Sequence, residues 1–144
     1  MAQNVVSILE RKTNKLISIH PENTVMDALK LMDQYNIGSL IVMDGEKYMG
    51  VMSERDYSRK VILKGKHSQT TLVSEIMNTT TPTVSPNDSI EDCMSLVSKS
   101  QARYLPVLEN DNVVGILSIL DLVEETSRMY KESAEHLRNY ITSS

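Results

Sequence analysis

The 144-residue sequence contains no tryptophan, no phenylalanine and only one cysteine, Cys93. A single cysteine excludes an intrachain disulfide and the thiol clusters of structural zinc or iron–sulfur centres, and no metal site is predicted. This cysteine usage fits a reducing compartment, so we expect a cytoplasmic location. The shortage of large aromatic rings also removes the platforms on which single-stranded nucleic acid would stack.

Basic residues are outnumbered, since 15 Lys and Arg face 19 Asp and Glu and leave a net charge of −4. Non-specific binding to nucleic acid needs a basic surface, so a nucleic-acid partner is not expected. The sequence shows no basic, apolar leader and no run of about 18 apolar residues, so neither secretion nor membrane insertion is predicted. Its 40% apolar content is enough for one compact domain, or for two small halves that share a core.

The sequence is a tandem repeat. The segment GVMSERD at 50–56 recurs as GILSILD at 115–121, an offset of 65 residues. The same offset, without a gap, relates the following pairs: Pro21 and Pro86, Thr24 and Ser89, Asp27 and Asp92, Leu31 and Leu96, Leu40 and Leu105, and Val42 and Val107. A period of this kind indicates two structural units, which we place at residues 1–64 and 65–144.

Each unit contains stretches with the pattern of β-strands. Short alternating stretches at 16–20 and 81–85 are each followed by a proline, and they predict the first strand of each unit. Farther along, two apolar runs flank a polar turn in both units, at 40–52 and at 104–117. This arrangement predicts a β-hairpin in each unit.

Helices are predicted between these strands and after them. Apolar residues recur at three- and four-residue spacing from Val25 to Met32 and from Ile90 to Val97, as in an amphipathic helix. A second helix follows each hairpin, and in the second unit its apolar pattern continues to Ile141. The expected fold is therefore α/β (α+β), with two tandem β-α-β-β-α units and an extended C-terminal helix that we interpret as an interface element.

Four Ser/Thr-x-x-Asp sequences open the predicted helices: Thr24/Asp27, Ser53/Asp56, Ser89/Asp92 and Ser118/Asp121. The ordinary role of this pattern is a capping box, in which hydroxyl and carboxylate bond free backbone N–H groups. Capping alone accounts for Thr24 and Ser89. Ser53 and Ser118 each follow a glycine by three residues, in a strand-to-helix turn of the kind where ligands usually bind.

The turn at Ser53 has the chemistry to hold a nucleotide. A helix N-terminus carries a partial positive charge and free N–H groups that suit a phosphate, and a neighbouring carboxylate can accept both hydroxyls of a ribose. Arg55 lies in the first helical turn, where a cation is disfavoured unless an anion is present. The alternative is that Arg55 pairs with Glu54, Asp56 or another surface acid.

The duplicated Gly-x-x-Ser-x-x-Asp turn resembles the tandem cystathionine β-synthase (CBS) domain pair, also called the Bateman module. The resemblance covers nearly the whole chain and includes IGSLIV at 37–42 and ARYLPV at 102–107. The run SERDY at 53–57 and a tail that contains His136, Leu137 and Tyr140 are most similar to the small stand-alone members.

This resemblance implies two units packed with pseudo-two-fold symmetry around two clefts for adenosine compounds such as AMP, ADP, ATP or NAD. In the first site, Asp56 would hold the ribose, and Ser53 and Arg55 the phosphate. Residues of the second unit would wall the base and add a cation: Pro82, Ala102, Arg103 and Tyr104. The second site would comprise Ser118, Asp121, Ile17, Gly38 and Ser39, but Leu120 stands there in place of the glycine usual in these members.

The expected function is a non-catalytic sensor that binds an adenine nucleotide and modulates an unidentified partner protein, with homodimerisation implied by the resemblance. No catalytic cofactor is expected, because the sequence has no metal-binding acid cluster, phosphate loop or base–nucleophile pair. The alternative is a structural or protein-interaction module with vestigial clefts, which acts by dimerisation.

Overall fold

The structure, a computed structural model, describes residues 3–12 and 16–142. Its elements, in chain order, are α1 (Val5–Arg11), β1 (Ser18–Ile19), α2 (Val25–Tyr35), β2 (Ser39–Asp44), β3 (Lys47–Ser53), α3 (Glu54–Tyr57), a π-helical segment (Ser58–Ile62), α4 (Val73–Ile76), α5 (Ile90–Ser100), β4 (Tyr104–Glu109), β5 (Asn112–Ser118) and α6 (Ile119–Thr142). This is the expected mixed α/β fold of two similar units with a long C-terminal helix.

The strands form one small sheet in each unit. In the first, β1 pairs in parallel with β2, and β2 pairs antiparallel with β3. In the second, β4 and β5 form the equivalent hairpin. The strand predicted at 81–85 is reduced to an isolated parallel bridge between Val84 and Val107. Pro82 has no N–H to donate, and a ladder cannot extend through it toward the N-terminus.

The helices that precede the hairpins begin and end as the sequence indicates. Thr24 and Ser89 each accept a hydrogen bond from the amide of the aspartate three residues later, and at Thr24 the reciprocal bond completes a capping box. Both helices end without glycine. Asn36 and Gln101 instead take the left-handed conformation, with φ of 53° and 58°. Gln101 is an uncommon residue for this conformation, and it lies beside the cavity described below.

The helices that follow the hairpins differ between the units. In the first, the short α3 continues as the π-helical segment, and the chain leaves the helix before Gly65, which has φ of 70°. In the second, α6 runs for 24 residues. π-helical turns are rare and often occur at functional sites, and this one carries Arg59 and Lys60.

The hydrophobic core consists of two clusters, and each takes its opening helix from the other half of the chain. Val5 and Ile8 of α1 pack with the residues of the second hairpin and α5. Val73 and Ile76 of α4 pack with the first hairpin and α2. The periodicity of α1 and α4 shows that each has an apolar face, but not which cluster that face will join.

Backbone hydrogen bonds fix this exchange in the same way on both sides. The amide of Val5 donates to the carbonyl of Asp88 at 3.0 Å, and the amide of Val73 donates to the carbonyl of Asn23 at 2.9 Å. Each half therefore contributes a short helix to the hydrophobic cluster of the other half. The unit boundaries at 1–64 and 65–144, which come from the sequence repeat, stay a prediction. The two hydrophobic clusters do not follow these boundaries, because each includes a helix from the other half.

Candidate functional site

The two strand-to-helix turns have the same backbone hydrogen bonding. The amide and hydroxyl of Ser53 donate to Oδ2 of Asp56 at 2.9 and 3.0 Å, and the Asp56 amide donates back to the hydroxyl oxygen at 3.2 Å. Ser118 and Asp121 repeat the reciprocal amide bonds at 2.8 and 3.1 Å. Both turns are thus capping boxes, and both also border a cavity between the units.

The first cleft, a cavity of about 420 Å³, lies between α3 and the loops of the second half. It is lined by all seven residues predicted for the first site: Ser53, Arg55, Asp56, Pro82, Ala102, Arg103 and Tyr104. The volume falls within the range of about 300–1,000 Å³ that is usual for small-molecule sites. The structure thus brings these residues together, while ligand binding there stays a prediction.

Several lining residues were not predicted from the sequence. They are Val51, Arg59, Lys60, Asn78, Thr80, Thr81, Ser100 and Gln101. Arg59 could have been found, because it lies four residues after Arg55 and so shares a face of the same helix. The polar loop residues carry no comparable signal, since their position depends on how the two halves pack.

Positive charge dominates the first cleft. Four basic residues, Arg55, Arg59, Lys60 and Arg103, surround the single carboxylate of Asp56. Among the described residues, none of the three arginines has an ion-pair partner within 4.0 Å, so the pairing of Arg55 with a surface acid is not observed. The neighbouring charge of Arg59, with desolvation and Arg103, lowers the pKa of Arg55, and Asp56 offsets this only in part.

Lys60 is the counter-ion of Asp56. Its Nζ lies 3.1 Å from Oδ1 of Asp56 and donates to the carbonyl of Ile76 at 2.8 Å. A carboxylate has about four lone-pair positions. The amide and hydroxyl of Ser53 use those of Oδ2, and Lys60 uses one of Oδ1, so the remaining free acceptor position is on Oδ1. A ribose hydroxyl would use that position or displace Lys60, whose Nζ would then be free to meet a phosphate.

The second cleft, of about 520 Å³, lies on the opposite side and contains the five residues predicted for it: Ile17, Gly38, Ser39, Ser118 and Asp121. Apolar side chains form most of its remaining wall, namely Leu9, Leu16, Ile37, Val114, Ile116 and Leu120. Among the residues that the structure describes, Lys12 is the one basic residue in its lining. Leu120, which is equivalent to Arg55, is 63% exposed.

Two basic residues at the C-terminal end of α1 pair with acids of α6, Lys12 inside the second cleft and Arg11 outside its lining. Lys12 Nζ lies 2.9 Å from Oδ2 of Asp121 and donates to the carbonyl of Ile116 at 2.8 Å. Arg11 pairs with Glu125, whose side chain is only 3% exposed. Lys12 is thus the counter-ion of Asp121 as Lys60 is of Asp56, but Lys12 contacts the oxygen that also accepts the serine amide, whereas Lys60 contacts the other oxygen.

Tyr104 lines both cavities. A Cβ at Gly38 would lie 2.5 Å from the Tyr104 hydroxyl oxygen, so the ring fits only because residue 38 is glycine. Burial, with the nearby charge of Glu54, raises the pKa of the Tyr104 hydroxyl. The group stays a neutral hydrogen-bond donor through physiological pH, at the partition between the two clefts.

Outside the clefts, we searched the described residues for a metal site, a reactive cysteine and a membrane-spanning helix. No group of three or more His, Cys, Asp or Glu within residues 3–12 and 16–142 could hold a metal ion. Cys93 is buried, and desolvation followed by the charges of Asp88 and Asp92 raises its pKa to about 11. In the same ranges, no helix is both long and apolar enough to span a bilayer.

The duplicated strand-to-helix turns and the two clefts agree with what the comparison with known protein families shows. The CBS domain family matches residues 5–62 and again 73–128, and the chain belongs to this family as a tandem CBS pair.

Individual relatives agree. The chain is 33% identical over 128 residues to the CBS domain-containing protein YhcV of Bacillus subtilis, a match that covers 89% of each chain. It is 34% identical over 125 residues to the mitochondrial CBS domain-containing protein CBSX3 of Arabidopsis thaliana, but this match spans 83% of the chain and only 61% of that relative. A CBS-domain protein of Burkholderia ambifaria MC40-6, whose proposed role is signal transduction, is 38% identical with a TM-score of 0.83, covering 86% of this chain and 93% of that one.

Proposed function

We propose that this CBS pair is a non-catalytic regulatory module that binds an adenosine-containing ligand, AMP, ADP, ATP or NAD, in the first cleft. The observation that carries the proposal is the charge of this cleft, in which Arg55, Arg59 and Arg103 lack partners among the described residues. Like charges held together cost free energy, and a bound phosphate would offset that cost. The amides of Ser53, Glu54 and Asp56 are already hydrogen-bonded, so the arginines would be the main donors to the phosphate.

Ligand binding in this cleft would act on the arrangement of the two halves. The cavity takes Arg55 and Asp56 from one half and Arg103 from the other, so a nucleotide that contacts both stabilises one arrangement. The coupling available to such a switch is typically about 1–3 kcal/mol, which is enough to change the affinity for a partner several-fold. The regulated partner protein and the cytoplasmic location are part of this proposal.

Calorimetric titration with AMP, ADP, ATP and NAD tests the proposal. Asp56→Asn should weaken binding at least about tenfold, because a neutral amide is a poorer acceptor for ribose hydroxyls. The matched control is Asp27→Asn, which alters a capping box of the same geometry on α2, away from the first cleft. The proposal fails if none of the four compounds binds at millimolar concentration, or if both variants lose the same affinity.

A second candidate is a structural or interaction module with vestigial clefts that acts by dimerisation. The second cleft favours it, since Lys12 already neutralises Asp121 and Leu120 replaces the basic residue of the first turn. This candidate predicts that the melting temperature is indifferent to nucleotides but rises with protein concentration. Thermal unfolding at two protein concentrations, with and without ATP, separates the two proposals.

A further inference from the structure

The first cleft carries more positive charge than one phosphate can neutralise. Lys60 is already paired with Asp56, since its Nζ lies 3.1 Å from Oδ1. Three guanidinium groups remain, those of Arg55, Arg59 and Arg103. Among the residues that the structure describes, none of the three has a carboxylate within 4.0 Å. A phosphate monoester carries a charge of about −1.5 to −2 at pH 7, so a single group leaves positive charge without compensation.

The winding of the helix presents three of the basic residues to the same cavity. Arg55, Arg59 and Lys60 all line it, although Lys60 comes five residues after Arg55. On an α-helix the residues three and four apart are neighbours, whereas a π-helical turn links residues five apart. The hydrogen bond from the Leu63 amide to the Ser58 carbonyl, at 3.1 Å, is of this wider kind. The wider turn therefore helps to place Lys60 on the face that carries the two arginines.

The three arginines reach the cleft from separate positions. Arg55 and Arg59 are one helical turn apart, roughly 5–6 Å along the axis. Arg103 comes from the other half of the chain, just before β4. The charge of Arg59 lowers the pKa of Arg55 most, followed by desolvation and the charge of Arg103. A single phosphate would have to draw these like charges to one point, whereas a chain of linked phosphates can contact them in succession with less repulsion.

We propose that the first cleft selects adenosine ligands with two or more linked phosphates, ADP and ATP, over AMP. This inference rests on the proposed function, because it ranks the ligands of the same site. The ribose would lie at Asp56, and the phosphates would extend past Arg55 toward Arg59, with Arg103 contacting them from the other half. Each further phosphate adds negative charge where the cleft has positive charge left over, and hydrogen bonds between oppositely charged groups are the stronger ones.

Calorimetric titration of the full chain with AMP, ADP and ATP, without divalent cations, tests this ranking. ADP and ATP should bind at least about tenfold more tightly than AMP. Inorganic pyrophosphate should displace bound AMP at a lower concentration than inorganic phosphate does. Added salt should reduce the difference between ADP and AMP, because it screens exposed charges. The chain has a net charge of −4, so its overall charge does not attract the more highly charged ligands, and a preference for them reports on the cleft.

Substitution of Arg59 tests whether the basic residues set the preference. Arg59→Ala should weaken ADP binding more than AMP binding, so that the ratio of the two affinities falls at least about threefold, whereas a loss of folded protein would leave the ratio unchanged. Arg59→Lys keeps the charge and should retain most of the ratio. The matched control is Arg138→Ala, which removes the same side chain from α6, outside the lining of the first cleft. Both arginines are exposed, so neither change disturbs the core.

The outcomes separate this inference from the proposed function. If AMP, ADP and ATP bind with equal affinity, or if Arg138→Ala lowers the ratio as much as Arg59→Ala does, the inference is overturned while the function proposed for the first cleft remains. A preference for ADP that does not decrease with salt also contradicts the inference, because charge would then not be its cause. If none of the three compounds binds at millimolar concentration, the proposed function and the inference fail together.

Discussion

The turns of the two clefts have the same backbone hydrogen bonds, but the first cleft is basic and the second is largely apolar. Counted by the offset of 65 residues, the basic residues Arg55, Arg59, Lys60 and Arg103 correspond to Leu120, Glu124, Glu125 and Gly38. None of the four positive charges is repeated, while Ser53 and Asp56 recur unchanged as Ser118 and Asp121. The capping residues that fold each turn are thus kept in both halves, and the residues that would select a ligand are present in one.

The counter-ions of the two aspartates show the same divergence. Lys60 reaches Asp56 from the next turn of its own helix, whereas Lys12 reaches Asp121 from α1 across the unit boundary. The position equivalent to Lys60 is Glu125, which is buried against Arg11. Lys12 and Arg11 thus hold α1 against α6, and the Lys12–Asp121 pair lies inside the second cleft.

The largest effect is expected from reversing the charge of Glu125, which pairs with Arg11. Glu125→Lys places a cation beside Arg11 and Arg128 at a buried position, and should lower the free energy of unfolding by about 3 kcal/mol, as for other broken buried pairs. Urea unfolding of this variant and of the unchanged chain measures the difference in the free energy of unfolding. The equivalent change in the first unit, Lys60→Glu, affects a side chain that is 42% exposed and should cost about 1 kcal/mol or less. Equal losses would show that the two positions do not differ in role.

An intermediate effect is expected at the glycines that precede the two turns. A Cβ at Gly50 would lie 2.6 Å from the backbone carbonyl oxygen of Asn78, which accepts from the Val51 amide, while the Asn78 amide donates to the Val51 carbonyl. At Gly115 the obstacle, also at 2.6 Å, is only the side-chain tip of Leu9. Gly50→Ala should therefore cost about 1–3 kcal/mol and Gly115→Ala less than about 1 kcal/mol. Thermal or urea unfolding compares them, and the reverse order would contradict this account of the packing.

The smallest effect concerns ligand binding. Arg55→Leu gives the first cleft the residue of the second, and should weaken AMP binding about tenfold, or roughly 1.4 kcal/mol. Leu120→Arg makes the reverse change, and should add a weak second site to the calorimetric isotherm. If the unchanged chain already binds AMP at two equal sites, the electrostatic distinction between the clefts does not control affinity.

Much of the fold follows from the sequence because local rules decide it. The hairpins, the caps at Thr24 and Ser89 and the length of α6 all depend on neighbouring residues or on the repeat offset. The exchange of α1 and α4 does not, since an amphipathic pattern specifies an apolar face and not its partner. The alternation at 81–85 predicts a longer strand than the structure contains, because Pro82 has no N–H to donate to the ladder.

The candidate site likewise contains residues that local spacing could place and contacts that it could not. The turn residues Ser53 and Asp56 could be placed from their spacing after Gly50, and the resemblance to the CBS family supplied the opposite wall. The Lys60–Asp56 pair has i,i+4 spacing and could have been predicted, whereas the Lys12–Asp121 pair could not, because the two residues are 109 apart in sequence. Periodicity carries no information about contacts over that distance.

The exchange of opening helices affects how the chain folds during translation. α1 leaves the ribosome before the other elements of the two units, but its hydrogen-bond partners at Pro86 and Asp88 are made about 80 residues later. At a synthesis rate of about 5–20 residues per second, the apolar face of α1 waits several seconds without its cluster. The first half of the nascent chain likewise lacks α4 until residue 76 has emerged. The first half can therefore complete its packing soon after residue 76, whereas α1 waits until the second half has been synthesised.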